Sequence, residues 1–253
     1  MGMAPCPAPP PYSLEAFRYA YIYKQSDTRQ RRTVVSAHAL LKEHHREIRS
    51  GMPVGLNMRI HRALSWLHRA EQCENDTDGK FIFLWIAFNS AYAQELPPEQ
   101  RLSTQTAYTE FLNRLHHEDA EKHLDWMVWK EFSGPIRVLL DTPYVYESFW
   151  THQRGQITED EWKERFARSK QRAAKLLSKN NTPDLLAQVL QCIYTVRNQL
   201  MHGGATWNGS VNRAQLQDCC NIMSKLVPLV ITIMMGSIDT DWGETCYPVV
   251  ETV

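Results

Sequence analysis

The run Phe81-Ile82-Phe83-Leu84-Trp85-Ile86-Ala87-Phe88-Asn89-Ser90-Ala91-Tyr92-Ala93 is apolar nearly all round a helical wheel. A helix of that kind has no water-facing side and must be enclosed by others. The pattern therefore predicts an all-α bundle with a helix from about Lys80 to Ala93 buried inside it. Asp78 is the expected N-cap of this helix. Asn89 is its one strongly polar interior group and should satisfy a partner in the core.

A second helix is predicted from Thr182-Pro183-Asp184, read as N-cap, first-turn proline and dipole-compatible acid, to about His202. Counted at ~100° per residue, Val189, Leu190, Ile193 and Leu200 share one side, and Arg197 points the same way. Arginine keeps its charge, and burying it unpaired costs several kcal/mol. Arg197 must therefore find a partner, face a cleft, meet another chain, or snorkel to solvent. Gly203-Gly204 stops the helix, Ala205 to Ser210 is turn-like, and a returning helix runs from Val211 into the apolar series Leu226 to Met235.

Arg197-Asn198-Gln199-Leu200-Met201-His202 resembles the Arg-polar-x-x-x-His signature of the HEPN superfamily. The motif, the glycine break and the returning helix look like the C-terminal half of such a domain. The Phe81–Ala93 segment looks like the central helix of its larger members. The resemblance spans roughly residues 55 to 236. It implies a HEPN-like helical bundle and a metal-independent endoribonuclease, commonly assembled across a homodimer. On that resemblance Arg197 and His202 are the catalytic pair, and the biological setting is a toxin or an anti-phage defence effector.

The chemistry fits the residue types. RNA carries its own nucleophile, the 2′-hydroxyl, so strand scission needs a proton acceptor, a proton donor and charge stabilisation. Histidine titrates near neutrality, so His202 is assigned to proton transfer. Arg197 offers a fixed cation and a planar donor fork for phosphate oxygens. Asn198 either holds His202 or a phosphate oxygen, or is a solvated helix residue. The other reading of His202 is a helix C-terminal cation. Trp207 either stacks on a base or packs down onto its loop.

One straight helix sets positions 197 and 202 about 140° apart. Convergence on one phosphate requires either that the backbone unwinds at Gly203-Gly204 and swings His202 round, or that two chains share the site. Two other readings stay open. One is a non-catalytic module binding RNA, a nucleotide or a protein partner, and the other is a structural helical dimerisation protein. An antitoxin or regulatory partner is a further expectation. The tyrosine that some small members carry two positions after the histidine is here Gly204.

With 28 basic and 28 acidic residues the chain has no overall cationic character, so any RNA contact must be local. The six cysteines, Cys6, Cys73, Cys192, Cys219, Cys220 and Cys246, lack metal spacing and read as reduced thiols in a cytoplasm. No cofactor or metal is expected. The cluster His116-His117-Glu118-Asp119 with Glu121 and His123 reads as a solvated charge run rather than a metal site, and a metal reading of His38, His44 and His45 is discounted likewise. The apolar runs around Phe81 and Pro228 fall short of the ~20 residues needed to cross a bilayer, so no membrane partner is expected. Four regions follow: a proline-rich tail (1–11), an N-terminal helical extension (12–54), a HEPN-like helical domain (55–236) and a C-terminal tail (237–253). Gly134-Pro135, Asp141-Thr142-Pro143 and the Tyr144-Val145-Tyr146 alternation predict an irregular insertion around 132–157 with a short extended piece. Thr158-Glu159-Asp160-Glu161 predicts a capping box opening a charged helix to about Ser178.

Overall fold

The computed structural model describes residues 36–94 and 104–247. The proline-rich tail (1–11) and the first part of the helical extension (12–35) lie outside these residues. Ten α-helices are described: α1 (Ala37–Ile48), α2 (Val54–Glu71), α3 (Thr77–Tyr92), α4 (Thr104–Glu118), α5 (His123–Trp126), α6 (Ser133–Asp141), α7 (Glu147–Gln153), α8 (Glu159–Ser178), α9 (Thr182–Met201) and α10 (Arg213–Gly236). Among the described residues there is no strand, only an isolated antiparallel bridge between Gln94 and Thr245. The chain is all-α.

The apolar α3 is the hub. It packs against α2 and α10, and α9 packs against α4. Phe81, Leu84, Ala87, Phe88 and Ala91 of α3 are sealed in a single core that extends from Ala37 to Trp242. The returning helix α10 is, by length and composition, long and apolar enough to cross a membrane, more than its terminal apolar run implied. It is instead largely enclosed by α3, α2, α1 and α4. Helix α1, capped by Ser36 on the amide of Ala39, adds Ala37 and Leu41 to the same core.

Several local expectations shift. The cap of α3 is Asp76, whose carboxylate accepts from the Gly79 amide, and Asp78 instead lies in the first turn and faces another helix. Both carboxylates suit a helix start; the backbone leaves the helical region at position 76. Likewise Asn181, not Thr182, caps α9, exchanging hydrogen bonds with Asp184, and Thr182 donates to Asp125. The capping box Thr158–Glu161 is present as read.

The insertion at 132–157 is not irregular or extended. It comprises α6, a 3₁₀ turn at Pro143–Val145 and α7. Glycine and proline here mark helix starts rather than strand ends: Pro135 and Pro143 occupy first turns, where a missing N–H costs nothing. Just before it, Met127–Glu131 forms a π-turn closed by the Phe132 amide on Met127 O at 2.9 Å.

The segment read as a C-terminal tail is, up to residue 247, bound to the bundle. Trp242 is buried against Phe111. Arg59 of α2, 1% exposed, donates to the carbonyls of Ala91 (2.9 Å), Gly243 (3.0 Å) and Glu244 (2.6 Å). Arg62 donates to Cys246 O at 3.0 Å and Tyr247 O at 2.7 Å.

Candidate functional site

Helix α9 delivers the motif at its C-terminal end. Its close is set by two glycines: the Gly204 amide reaches Gln199 O at 2.7 Å and the Gly203 amide reaches Leu200 O at 3.1 Å, with Gly203 at φ +70°. This paired arrangement satisfies the last carbonyls and needs a left-handed residue at position 203. His202 is the C-cap, and its amide still bonds Asn198 O at 3.0 Å, four residues back on the helical track. The backbone therefore does not unwind before His202. Within one chain the structure keeps Arg197 and His202 on different sides of α9 and does not bring them together.

Arg197 is half-buried. Its Nη1 donates to Asn198 Oδ1 at 2.9 Å, and among the described residues this is its one hydrogen bond. Its Nε is buried with no partner, and no described carboxylate pairs with it. The guanidinium carbon lies 6.0 Å from the Tyr194 ring centre. Tyr108 is close enough to feel its charge, and Tyr92 stands 5.0 Å from Tyr108. Burial pushes the Tyr92 hydroxyl up to about 12 and the Tyr108 hydroxyl higher still, so neither can neutralise the arginine. A cation in an aromatic setting without a counter-ion among the described residues is the electrostatic signature of the site.

Asn198 is half-buried, and its side-chain oxygen accepts from Arg197. His202 is exposed, and its ring makes no hydrogen bond among the described residues. Asn89 is half-buried and its backbone carbonyl accepts from Ala93, but no described side chain pairs with its amide.

The loop after the motif is held from two directions. Gln199 accepts from Asn212 at 3.2 Å and donates to Tyr144 O at 2.9 Å. On the other side Asp78 accepts from Arg213 at 2.7 Å and from the Asn208 amide at 3.3 Å, while Trp207 donates to Asp76 at 3.1 Å. Trp207 is neither packed down nor hidden: 73% of it is exposed, with Met201 and Val211 also exposed nearby in the chain.

The histidine and acid cluster is not a simple solvated run. Asp119 is buried, accepts from the Leu124 amide at 2.7 Å and lies 3.4 Å from His123. Burial alone would raise its pKa, but His123 and two backbone amides hold it below the usual range. His116 pairs with Asp125 at 2.9 Å. Among the described residues no three metal-ligating side chains converge. Cys73, Cys192, Cys219 and Cys220 are buried free thiols, Cys246 is half-buried, and Cys6 lies outside the described residues. Burial pushes Cys192 up to about 12 and Cys220 to about 11.

Sequence reading missed Arg59, Asp76 and Arg213. Arg59 had a visible signal: it sits three residues after Leu56 and four before Ala63, on the dry face of α2. No family model matches the chain, and no curated protein or solved structure matches it.

Proposed function

We propose that the protein is a HEPN-like, metal-independent endoribonuclease acting as a toxin or defence effector in the cytoplasm, with its site completed by a second copy of the chain. The observation that carries this reading is Arg197, a half-buried cation with an unpartnered Nε and, among the described residues, no carboxylate beside it. Such a group has a large electrostatic deficit that a phosphate would fill, and the gain is greatest where water is thin.

In this reading the 2′-oxygen attacks phosphorus, the P–O5′ bond breaks, and the products carry a 2′,3′-cyclic phosphate and a 5′-hydroxyl. His202 from one copy takes the 2′-hydroxyl proton, and His202 from the other protonates the leaving 5′-oxygen. Arg197 binds the non-bridging oxygens, and Asn198 orients it through the 2.9 Å hydrogen bond. The 140° separation within one helix is then a requirement for two chains. Exposed Met201 and Val211 flank the motif as an apolar border for such a contact.

The test is incubation of labelled RNA in EDTA with wild type, Arg197→Ala and His202→Ala, with mass measured by light scattering. The reading expects EDTA-resistant cutting, lost by at least ~10²-fold in each variant, from a dimer. RNA retained without cutting would leave a binding module. Dimer loss in the variants with no RNA effect would leave a structural role.

A further inference from the structure

The charge of α8 is sorted along its length. Glu159, Asp160, Glu161 and Glu164 occupy its start, and from Arg165 to Pro183 there is no acidic residue. Over that stretch Arg165, Arg168, Arg172, Lys175 and Lys179 recur at steps of three and four. At ~100° per residue these five side chains fall within an arc of about 80°, and at 1.5 Å per residue they form a row about 21 Å long. All five are exposed. Nearby acids engage only the first part of the row: Glu161 is a turn from Arg165, and Glu164 reaches Arg168 at 3.9 Å. Arg172, Lys175 and Lys179 have no acidic partner among the described residues, and Arg172 lies beside the Gln105 amide of α4.

The other basic residues of α8 behave differently. Lys163 pairs with Glu159, and Lys170 pairs with Asp141 of α6. The apolar residues Trp162, Phe166, Ala173 and Leu176 turn inward, with Trp162 against Phe149 at 5.4 Å and Phe166 against Tyr146 at 5.1 Å. The row therefore has cations in single file and no apolar side chain available to enter a bilayer beside them. In a chain whose total charge is zero, this is a local concentration of positive field rather than a share of a general one.

We infer that the row on α8 is a track for the phosphate backbone of single-stranded RNA. The inference rests on the ribonuclease reading for the choice of RNA, and it adds where the substrate outside the scissile phosphate is held. A line of cations a few ångströms apart matches a line of phosphates, whereas a membrane presents a plane and favours an apolar face next to the charge. The row reads backbone and not bases, so it confers affinity without sequence preference.

The experiment measures fluorescence anisotropy of a labelled 2′-O-methyl RNA oligonucleotide, which lacks the nucleophile and cannot be cut. Wild type is compared with the triple variant Arg172→Gln, Lys175→Gln, Lys179→Gln from 50 to 200 mM KCl. Five contacts give a log–log slope of about −3.5, or roughly a 100-fold loss of affinity over that range, and two contacts give about −1.4, or roughly 7-fold. The exposed positions leave folding intact, which circular dichroism checks. Equal slopes for the two proteins, or a wild-type slope shallower than about −1, overturn the track. Loss of binding to phosphatidylserine vesicles in the triple variant, with no RNA effect, assigns the row to a membrane and overturns it as well. With cleavable RNA, the track expects a raised KM and unchanged kcat in the triple variant. If nothing is cut but the slopes differ as stated, the ribonuclease reading fails and the track stands.

Discussion

Asp78, in the first turn of α3, holds Arg213, in the first turn of α10, at 2.7 Å across 135 positions of sequence. The same carboxylate receives the Asn208 amide, so one side chain fixes the start of two core helices and the loop that follows the motif. Replacing it with alanine removes the acceptor and leaves Arg213 without its counter-charge. Asp78→Ala is expected to cost about 1–3 kcal/mol, read as a lower urea midpoint at unchanged m-value. Hydrogen exchange should quicken at 207–213 while amides in the middle of α9 stay protected. An unaltered midpoint would show that the pair contributes nothing net.

Arg59 tests the packing of the far end of the chain. Arg59→Ala leaves three carbonyls without their donor and a void in α2, with an expected loss of about 3–5 kcal/mol. Arg59→Lys should rescue little, because one ammonium on a flexible stem cannot reproduce a fork reaching three oxygens. The readout is thermal unfolding, together with limited proteolysis that should release residues 243–247 before the bundle opens.

Gly203 isolates a backbone effect. A methyl added there meets nothing within 4 Å, yet the residue sits at φ +70°. Gly203→Ala therefore costs only the left-handed penalty, about 1–2 kcal/mol, and Gly203→Asn less. Under the proposed mechanism the alanine variant also loses cleavage by more than its stability change accounts for, since His202 immediately precedes the strained position. Equal activity at full folding would separate the helix end from the chemistry.

Acid should weaken the fold through α1. Burial, with His68, Lys42 and Arg46 adding to it, lowers His38 from 6.5 to about 4, and its ring lies 4.3 Å from that of His68. Burial also lowers His45, against the opposing hydrogen bond that its ring donates to Asn57 Oδ1. In the unfolded chain His38 takes up its proton near 6.5, whereas in the fold it waits until about 4. Between those values the unfolded state binds more protons, so stability declines as pH falls from about 6.5 toward about 4 and is fully present above that window. Urea midpoints at pH 7.5, 6.0 and 4.5 measure the slope, and His38→Gln should flatten it.

The parts of the fold that were legible from sequence are those governed by one helix at a time. The all-round apolar run at Phe81 announced a buried helix, and Thr158 with Glu161 announced a helix start, because both signals act within a turn or two. Choices between adjacent candidates were not legible. Asp76 and Asp78 are both good caps, and what sends Asp78 elsewhere is Arg213, distant in sequence. The segment at 132–157 misled because proline and glycine mark the first turn of a helix as well as a break. For the site, the Arg197 anomaly was visible as a charge on an apolar stripe, but its tie to Asn198 was not, since two neighbouring side chains on a helix usually diverge.

The hydrogen bonds of Arg59 and Arg62 to residues 243–247 fall on main-chain oxygens. Every amino acid supplies such an oxygen, so these hydrogen bonds survive an exchange at Tyr247, while at Glu244 an exchange keeps the hydrogen bond and removes the attraction of the carboxylate for Arg59. A change at either arginine undoes its hydrogen bonds whatever those positions carry.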